Sequence, residues 1–137
     1  MRGRRIAFDY GDVRIGVAIC DPDGILCSPL PALKSQDKAL LDLIRELIDE
    51  YEPLKFYIGL PVNMSGTQGE SAQKAQAFAV SLMENFQIDV QFIDERLSTV
   101  SAQRKLKEAG VSSRDSKDLI DSMAAVAILE QGLLSES

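Results

Sequence analysis

The 137-residue sequence predicts an α/β fold in which a mixed five-stranded sheet carries helices on both faces. Short β-branched runs separated by turn residues fill the first thirty positions, and apolar residues then recur at helical spacing. Continuous apolar runs alternate with further helical stretches in the remainder. A meander followed by strand and helix crossover units gives the order βββαβαβαα. No repeat or linker interrupts this order, so residues 1–137 are expected to form a single domain.

Three short runs predict the antiparallel meander. The predicted strands are Arg5–Tyr10, Arg14–Cys20 and Ile25–Ser28. Gly11 and Asp12 form a tight-turn pair between the first two, and the segment Asp21–Gly24 marks the second turn. The pattern changes after Pro29 and Pro31, so the third strand is expected to end before them.

The crossover units follow from a change of period. Apolar residues on one helical face predict a first helix from Leu40 to Tyr51, which Pro53 ends. Lys55–Leu60 is a continuous apolar strand of the buried, parallel type. The remaining predicted segments are a polar loop over Pro61–Gly69, a second helix with an apolar face of Ala75, Phe78, Ala79, Leu82 and Phe86, a fifth strand over Asp89–Ile93, a third helix over Thr99–Ala109, and a last helix over Asp118–Leu134.

Composition narrows the chemistry that the chain can perform. The sequence has no histidine, which removes the usual general base of serine and cysteine triads and the usual zinc ligand. Hydrolysis by this protein therefore has to use carboxylates, lysine or metal-bound water. Cys20 and Cys27 are too few for a zinc site. We expect them to be reduced core thiols rather than a disulfide between neighbouring strands.

Charge and hydropathy indicate a cytosolic protein with local basic groups. The first apolar stretch is too short for a signal peptide, and no stretch approaches the roughly 20 apolar residues of a membrane span. The net charge of −6 lacks the basic footprint that nucleic-acid-binding domains usually show. Three cationic groups nevertheless occur, each of which alone is more often a solvated face. They are Arg2, Arg4, Arg5 and Arg14; Arg96, Arg104, Lys105 and Lys107; and Arg114 and Lys117.

Acidic residues are the candidate functional groups. Asp9 lies within a strand expected to be central, Glu95 leaves the fifth strand, and Asp118 and Asp121 lie one turn apart in the last helix. Asp9 could instead cap the Gly11 turn, and the other acids could stabilise helix N-termini. Ligands of open α/β sheets gather beyond the carboxyl ends of the parallel strands, where these acids would meet. An oxygen-only site suits Mg²⁺ or Mn²⁺, and two such ions about 4 Å apart can hydrolyse a phosphodiester.

Five segments that together span almost the whole chain resemble the YqgF-type pre-16S rRNA nucleases, a family similar to Holliday-junction resolvases. The segments are Phe8–Gly11, Arg14–Ala18, Gly59–Thr67, Asp94–Thr99 and Ile120–Leu129. The resemblance implies a ribonuclease-H-like fold and phosphodiester hydrolysis during maturation of precursor 16S rRNA in ribosomal precursor particles. It implies catalytic, metal-holding acids at Asp9, Glu95 and Asp121. Asp118 recreates the paired-acid helix of the resolvases, so either helix acid or both could reach the metal.

Alternative interpretations remain for the nucleic-acid contacts and for the function. Arg14, Arg96, Asn63 and Lys117 are the predicted nucleic-acid-binding residues, although Arg96 could simply pair with a neighbouring acid. The loop from Gly59 to Gly69 is implied to lie on the substrate side. A resolvase-like nuclease acting on structured DNA and a non-catalytic RNA-binding assembly factor are the alternative functions. A nucleotide-binding module is disfavoured, because the chain is long enough for one lobe and carries no Walker loop. The oligomeric state stays open.

Overall fold

The computed structural model describes residues 2–61, 69–97 and 117–136, the side chains of 117–121 excepted. The strands are β1 (Arg5–Tyr10), β2 (Arg14–Cys20), β3 (Cys27–Lys34), β4 (Lys55–Leu60) and β5 (Asp89–Asp94). The helices are α1 (Leu40–Tyr51), α2 (Glu70–Asn85) and α3 (Lys117–Ser135), and a 3₁₀ turn covers Glu95–Leu97.

The five strands form one mixed sheet in the order β3-β2-β1-β4-β5. β1 pairs antiparallel with β2 and parallel with β4, and β5 pairs parallel with β4. This order confirms the predicted mixed five-stranded sheet and the central position of the first strand. The carboxyl ends of β1, β4 and β5 lie at one end of the sheet, which we call the site edge.

Helices cover both faces of the sheet, as predicted. On one face, Phe8 lies edge-on to Phe56 of β4 and to Phe78 of α2, with ring centroids 5.2 and 5.5 Å apart. Ile44 of α1 joins this core. Large apolar side chains therefore separate the sheet from α1 and α2.

The opposite face packs on α3 through much smaller residues. Ala7 and Ala18 of the sheet meet Ala124, Ala125 and Ala127 of α3, all 5% exposed or less. Small side chains on both surfaces let the helix approach the sheet closely.

The third strand differs from its prediction. It runs from Cys27 to Lys34 rather than from Ile25 to Ser28, and it therefore includes Pro29 and Pro31. β3 is an edge strand, and an edge strand tolerates proline because only one side of its backbone pairs with a neighbour. Treating the two prolines as the end of the strand was wrong.

The other boundaries move by one or two residues. β5 extends to Asp94, and α3 begins at Lys117 and ends at Ser135. The predicted helix over Thr99–Ala109 and most of the loop over Pro61–Gly69 lie outside the described residues. Within the described ranges, no helix combines the length and the apolar character needed to cross a membrane.

Both cysteines are free thiols, as predicted. Cys20 and Cys27 face each other across β2 and β3. Burial raises the pKa of the Cys27 thiol to about 12, so this thiol stays protonated at neutral pH. A protonated thiol is a poor nucleophile, which fits a packing role for this residue.

Candidate active site

Two of the predicted acids lie at the site edge, on the face that α3 covers. Asp9 follows Ala7 by two residues in β1, so strand alternation turns both toward α3. Glu95 follows the last residue of β5 and begins the 3₁₀ turn. Asp9 is only 8% exposed and Glu95 only 6% exposed. Burial of two carboxylates at one end of a sheet is costly and requires compensation.

Gly59 lies between these acids in the strand that separates them. The β1 and β4 register pairs Phe8 with Ile58, which places Gly59 beside Asp9, and Gly59 itself pairs with Ile93 of β5. A Cβ atom at position 59 would lie 3.1 Å from Oε1 of Glu95. The absent side chain therefore leaves the space into which the Glu95 carboxylate extends.

The same glycine allows α3 to lie close above the acids. A Cβ atom at position 59 would lie 2.4 Å from Cδ1 of Ile128, a distance that real Cβ atoms essentially never show. The sequence pattern placed Gly59 in the strand Lys55–Leu60, in a family motif and at the start of a loop, but gave it no role of its own. A glycine inside a buried strand is itself a signal of close approach, and it could have identified this position.

The two helix acids lie in the first turns of α3. Asp118 and Asp121 are helical residues of this element, and their side chains lie outside the described part of the structure. Asp121 precedes Ala125 by four residues and Ile128 by seven, a spacing that repeats on one side of a helix. Among the residues that the structure describes, no group of three acids, cysteines or histidines could hold a metal ion. The described part of the site is therefore the pair Asp9 and Glu95.

Arg96 forms a fork with its neighbour Asp94. Its Nη2 donates to Oδ2 of Asp94 at 2.7 Å, and its Nε lies 3.1 Å from both carboxylate oxygens. The hydrogen bond from Arg96 lowers the pKa of Asp94. The structure therefore contains the alternative contact considered for Arg96, a pair with a neighbouring acid. Even so, 45% of the Arg96 side chain is exposed.

Two further cations lie at the site edge, on neighbouring strands. Arg14 of β2 is the register partner of Lys34 of β3. Alternation along β2 turns Arg14 to the same face as Gly16, the partner of Asp9, so both cations lie on the Asp9 face. Lys34 was missed because the predicted third strand ended before it. Asn63 and the Lys117 side chain lie outside the described residues.

Lys74 of α2 lies beside the turn between β1 and β2. Its Nζ donates to Oδ1 of Asp12 at 2.8 Å and lies 3.4 Å from Oε1 of Glu70. The hydrogen bond to Asp12 raises the pKa of Lys74. These contacts hold α2 against the turn that follows Asp9.

Comparison with known proteins gives one family. The RuvX family model, described as Holliday junction resolvase, matches residues 3–135. A relative from Streptomyces avermitilis is 44% identical over 137 residues, covering 98% of this chain and 88% of the relative. A relative from Rhodococcus erythropolis is 47% identical over 141 residues, covering 98% of this chain and 79% of the relative. Both carry the name "Putative pre-16S rRNA nuclease".

A solved structure shows the fold. Thermus thermophilus RuvC in complex with Holliday junction substrate matches this chain with a TM-score of 0.53 at 18% identity, covering 98% of this chain and 95% of RuvC. The architecture is therefore ribonuclease-H-like, with β1 at the centre of its mixed sheet. Because the family model matches nearly every residue and both relatives exceed 40% identity, this chain belongs to the RuvX family.

Proposed function

We propose that this protein is a nuclease that hydrolyses phosphodiester bonds of precursor 16S rRNA during ribosome biogenesis. The observation that carries the proposal is the pair of buried carboxylates, Asp9 and Glu95, on either side of Gly59 at the site edge. The names of the relatives and the family description support the reaction class. Residues 1–137 would act as one nuclease domain, in the cytoplasm and on ribosomal precursor particles.

The chemistry of the donor set fits a divalent cation. Asp9 and Glu95 are both nearly buried and both offer only oxygen, the ligand that Mg²⁺ and Mn²⁺ prefer. A bound cation would offset the cost of holding two carboxylates out of water. We propose Asp121 as the third ligand, from its place in α3, with Asp118 as a further candidate. When bound, the ions would activate a water molecule and stabilise the leaving oxygen.

The residues of the chain hold this donor set in place. β1 fixes Asp9 at the centre of the sheet, and the 3₁₀ turn fixes Glu95 directly after β5. Ile128 occupies the space above Gly59, next to the Glu95 carboxylate. These contacts orient the acids before substrate arrives, so little reorganisation remains during the reaction.

Cations at the site edge would bind the phosphates that flank the cleaved bond. Arg14 and Lys34 are suited to this because they are register partners on the Asp9 face. Asn63 and Lys117 remain proposed contacts from the sequence. The fork with Asp94 would limit what Arg96 contributes, because that carboxylate already binds its guanidinium. Local cations allow a protein of net charge −6 to bind a polyanion.

A cleavage assay tests the proposal. Purified protein is incubated with precursor 16S rRNA and with a four-way DNA junction, in Mg²⁺, in Mn²⁺ and in chelator. Metal-dependent cleavage of the RNA that Asp9→Asn and Glu95→Gln abolish is the expected result. Asp49→Asn, on the exposed surface of α1, is the matched control and should cleave normally.

The same assay separates the alternatives. Cleavage of the junction and not of the RNA would favour a resolvase, the function that the family description and the RuvC-like fold suggest. Binding of RNA without cleavage in any metal would favour an assembly factor whose acids are structural. Either outcome would overturn the proposed reaction on precursor rRNA.

A further inference from the structure

The hydroxyl of Ser122 joins α3 to the β2 and β3 strands. Ser122 is fully buried and directly follows Asp121 in the helix. Its Oγ accepts a hydrogen bond from the backbone N–H of Val17 at 3.1 Å and donates one to the backbone carbonyl of Leu30 at 2.5 Å. Val17 and Leu30 are register partners, so the helix side chain bridges two strands at one point.

A β-bulge creates the place for this hydroxyl. Ile15 pairs with Leu33 and Val17 pairs with Leu30, so one residue of β2 faces two residues of β3. A bulge interrupts the hydrogen-bond ladder and leaves backbone groups without a strand partner. Ser122 supplies both the acceptor and the donor that the bulge removes, which an apolar residue of the same size cannot do.

The bulge lies beside Asp9. Gly16, the β2 residue inside the bulge, is the register partner of Asp9 in β1. The hydrogen bonds of Ser122 therefore hold the α3 turn that contains Asp121 close to Asp9 in β1. Ile128 over Gly59 provides a second fixed point near Glu95. Two fixed points along one helix determine both its position along its axis and its rotation.

We propose that Ser122 is a positioning residue that sets where α3 presents Asp121 to Asp9 and Glu95, and so determines the affinity for the divalent cation. The proposal rests on the proposed function, because it needs a cation held by these acids. Ser122 does not contact the cation; it acts through the backbone of the helix turn that it fastens. A shift of that turn changes the distance between ligands without removing any of them.

Mn²⁺ binding to the full chain, followed by electron paramagnetic resonance without substrate, tests the proposal. Ser122→Ala is expected to raise the Kd for Mn²⁺ roughly tenfold to a hundredfold, the range typical of residues that orient metal ligands. Ser122→Thr keeps the hydroxyl and should retain most of the affinity. Ser122→Cys, close in size to serine but a weak hydrogen-bonding partner, should lie between them.

Tyr57→Phe is the matched control. It removes the hydroxyl that holds the opposite end of α3 through Glu136, so it loosens the same helix far from the acids. Its Kd for Mn²⁺ should equal that of the wild type. Unchanged affinity in both Ser122→Ala and Ser122→Cys, or an equal loss in Tyr57→Phe, would overturn the positioning role. A wild type that binds no Mn²⁺ would instead overturn the metal site of the proposed function.

Discussion

Tyr57 donates a hydrogen bond from its phenolic hydroxyl to Oε2 of Glu136, and so connects the centre of the sheet to the residue that follows α3. Arg5 of β1 holds the other oxygen of the same carboxylate, with Nη2 2.6 Å from Oε1. The Arg5 side chain is only 6% exposed. This cluster fastens α3 at the end of the sheet opposite Asp9, while Ser122 fastens it near Asp9.

Lowering the pH should weaken the contacts of Glu136 with Tyr57 and Arg5, which hold the end of α3 on the sheet. Burial disfavours the charged form of Glu136, but the hydrogen bonds from Tyr57 and Arg5 outweigh burial and lower its pKa. A lowered folded-state pKa gives stability that is fully present above the unfolded pKa of about 4.3 and is lost as the pH falls through the folded value. Glu136→Gln should therefore lower the free energy of unfolding by about 2 kcal/mol at pH 7, as for charge-assisted hydrogen bonds, and by less at pH 3.

Urea denaturation at pH 7 and pH 3 measures this difference. Glu130→Gln is the control, because Glu130 is an exposed acid on the same helix. It should leave the stability at pH 7 almost unchanged. Equal losses for the two variants would mean that the contacts of Glu136 with Tyr57 and Arg5 contribute nothing in solution.

Gly59→Ala should damage both packing and the site. The added Cβ would meet Cδ1 of Ile128 at 2.4 Å and Oε1 of Glu95 at 3.1 Å, so the helix and the carboxylate must both move. We expect a loss of about 1–3 kcal/mol of stability, the usual cost of overpacking a core. Cleavage and Mn²⁺ binding should fall with it.

A double variant separates the two effects. Ile128→Val removes Cδ1, the atom that the new methyl group would meet first, so Gly59→Ala with Ile128→Val should regain part of the stability. It should not regain Mn²⁺ binding, because Glu95 is still displaced. Full recovery of binding in the double variant would show that position 59 acts only through the helix.

The sequence was sufficient to predict the sheet, its central strand and the placement of Asp9 and Glu95 at one end of it, because hydrophobic periodicity and strand ends determine them. That these acids hold a metal ion stays a prediction. It was insufficient for β3, where an edge position overrode the usual effect of Pro29 and Pro31. Because the predicted third strand ended too early, Lys34 was not among the predicted site residues. The roles of Gly59 and Ser122 depend on contacts between distant segments, which no local pattern contains.

Arg14→Ala and Lys34→Ala should each weaken RNA binding in a salt-dependent way. If each cation neutralises one phosphate, each substitution lowers the magnitude of the slope of log K against log salt by about one. Arg96→Ala should change the slope by less than one, since Asp94 already binds its guanidinium. Binding of a labelled precursor rRNA fragment to each variant across a range of KCl concentrations gives these slopes.

Arg2→Ala provides the control for this series. Arg2 precedes β1 at the opposite end of the sheet, and its Nε lies 3.0 Å from Oδ1 of Asp23. The slope of log K against log salt for Arg2→Ala should equal that of the wild type. A slope change in Arg2→Ala as large as that in Lys34→Ala would assign RNA binding to general charge rather than to the site edge.

Asp9→Asn should stabilise the metal-free protein while it abolishes cleavage. The substitution keeps the shape of the side chain and removes one of the negative charges gathered at the site edge. It should therefore melt at a higher temperature than the wild type in chelator. Mn²⁺ at a hundredfold excess over its Kd should stabilise the wild type by about 2.7 kcal/mol and Asp9→Asn by much less. Differential scanning calorimetry with and without metal, beside the cleavage assay, measures both effects. A lower melting temperature in chelator together with a full response to Mn²⁺ would make Asp9 a structural acid at the end of β1.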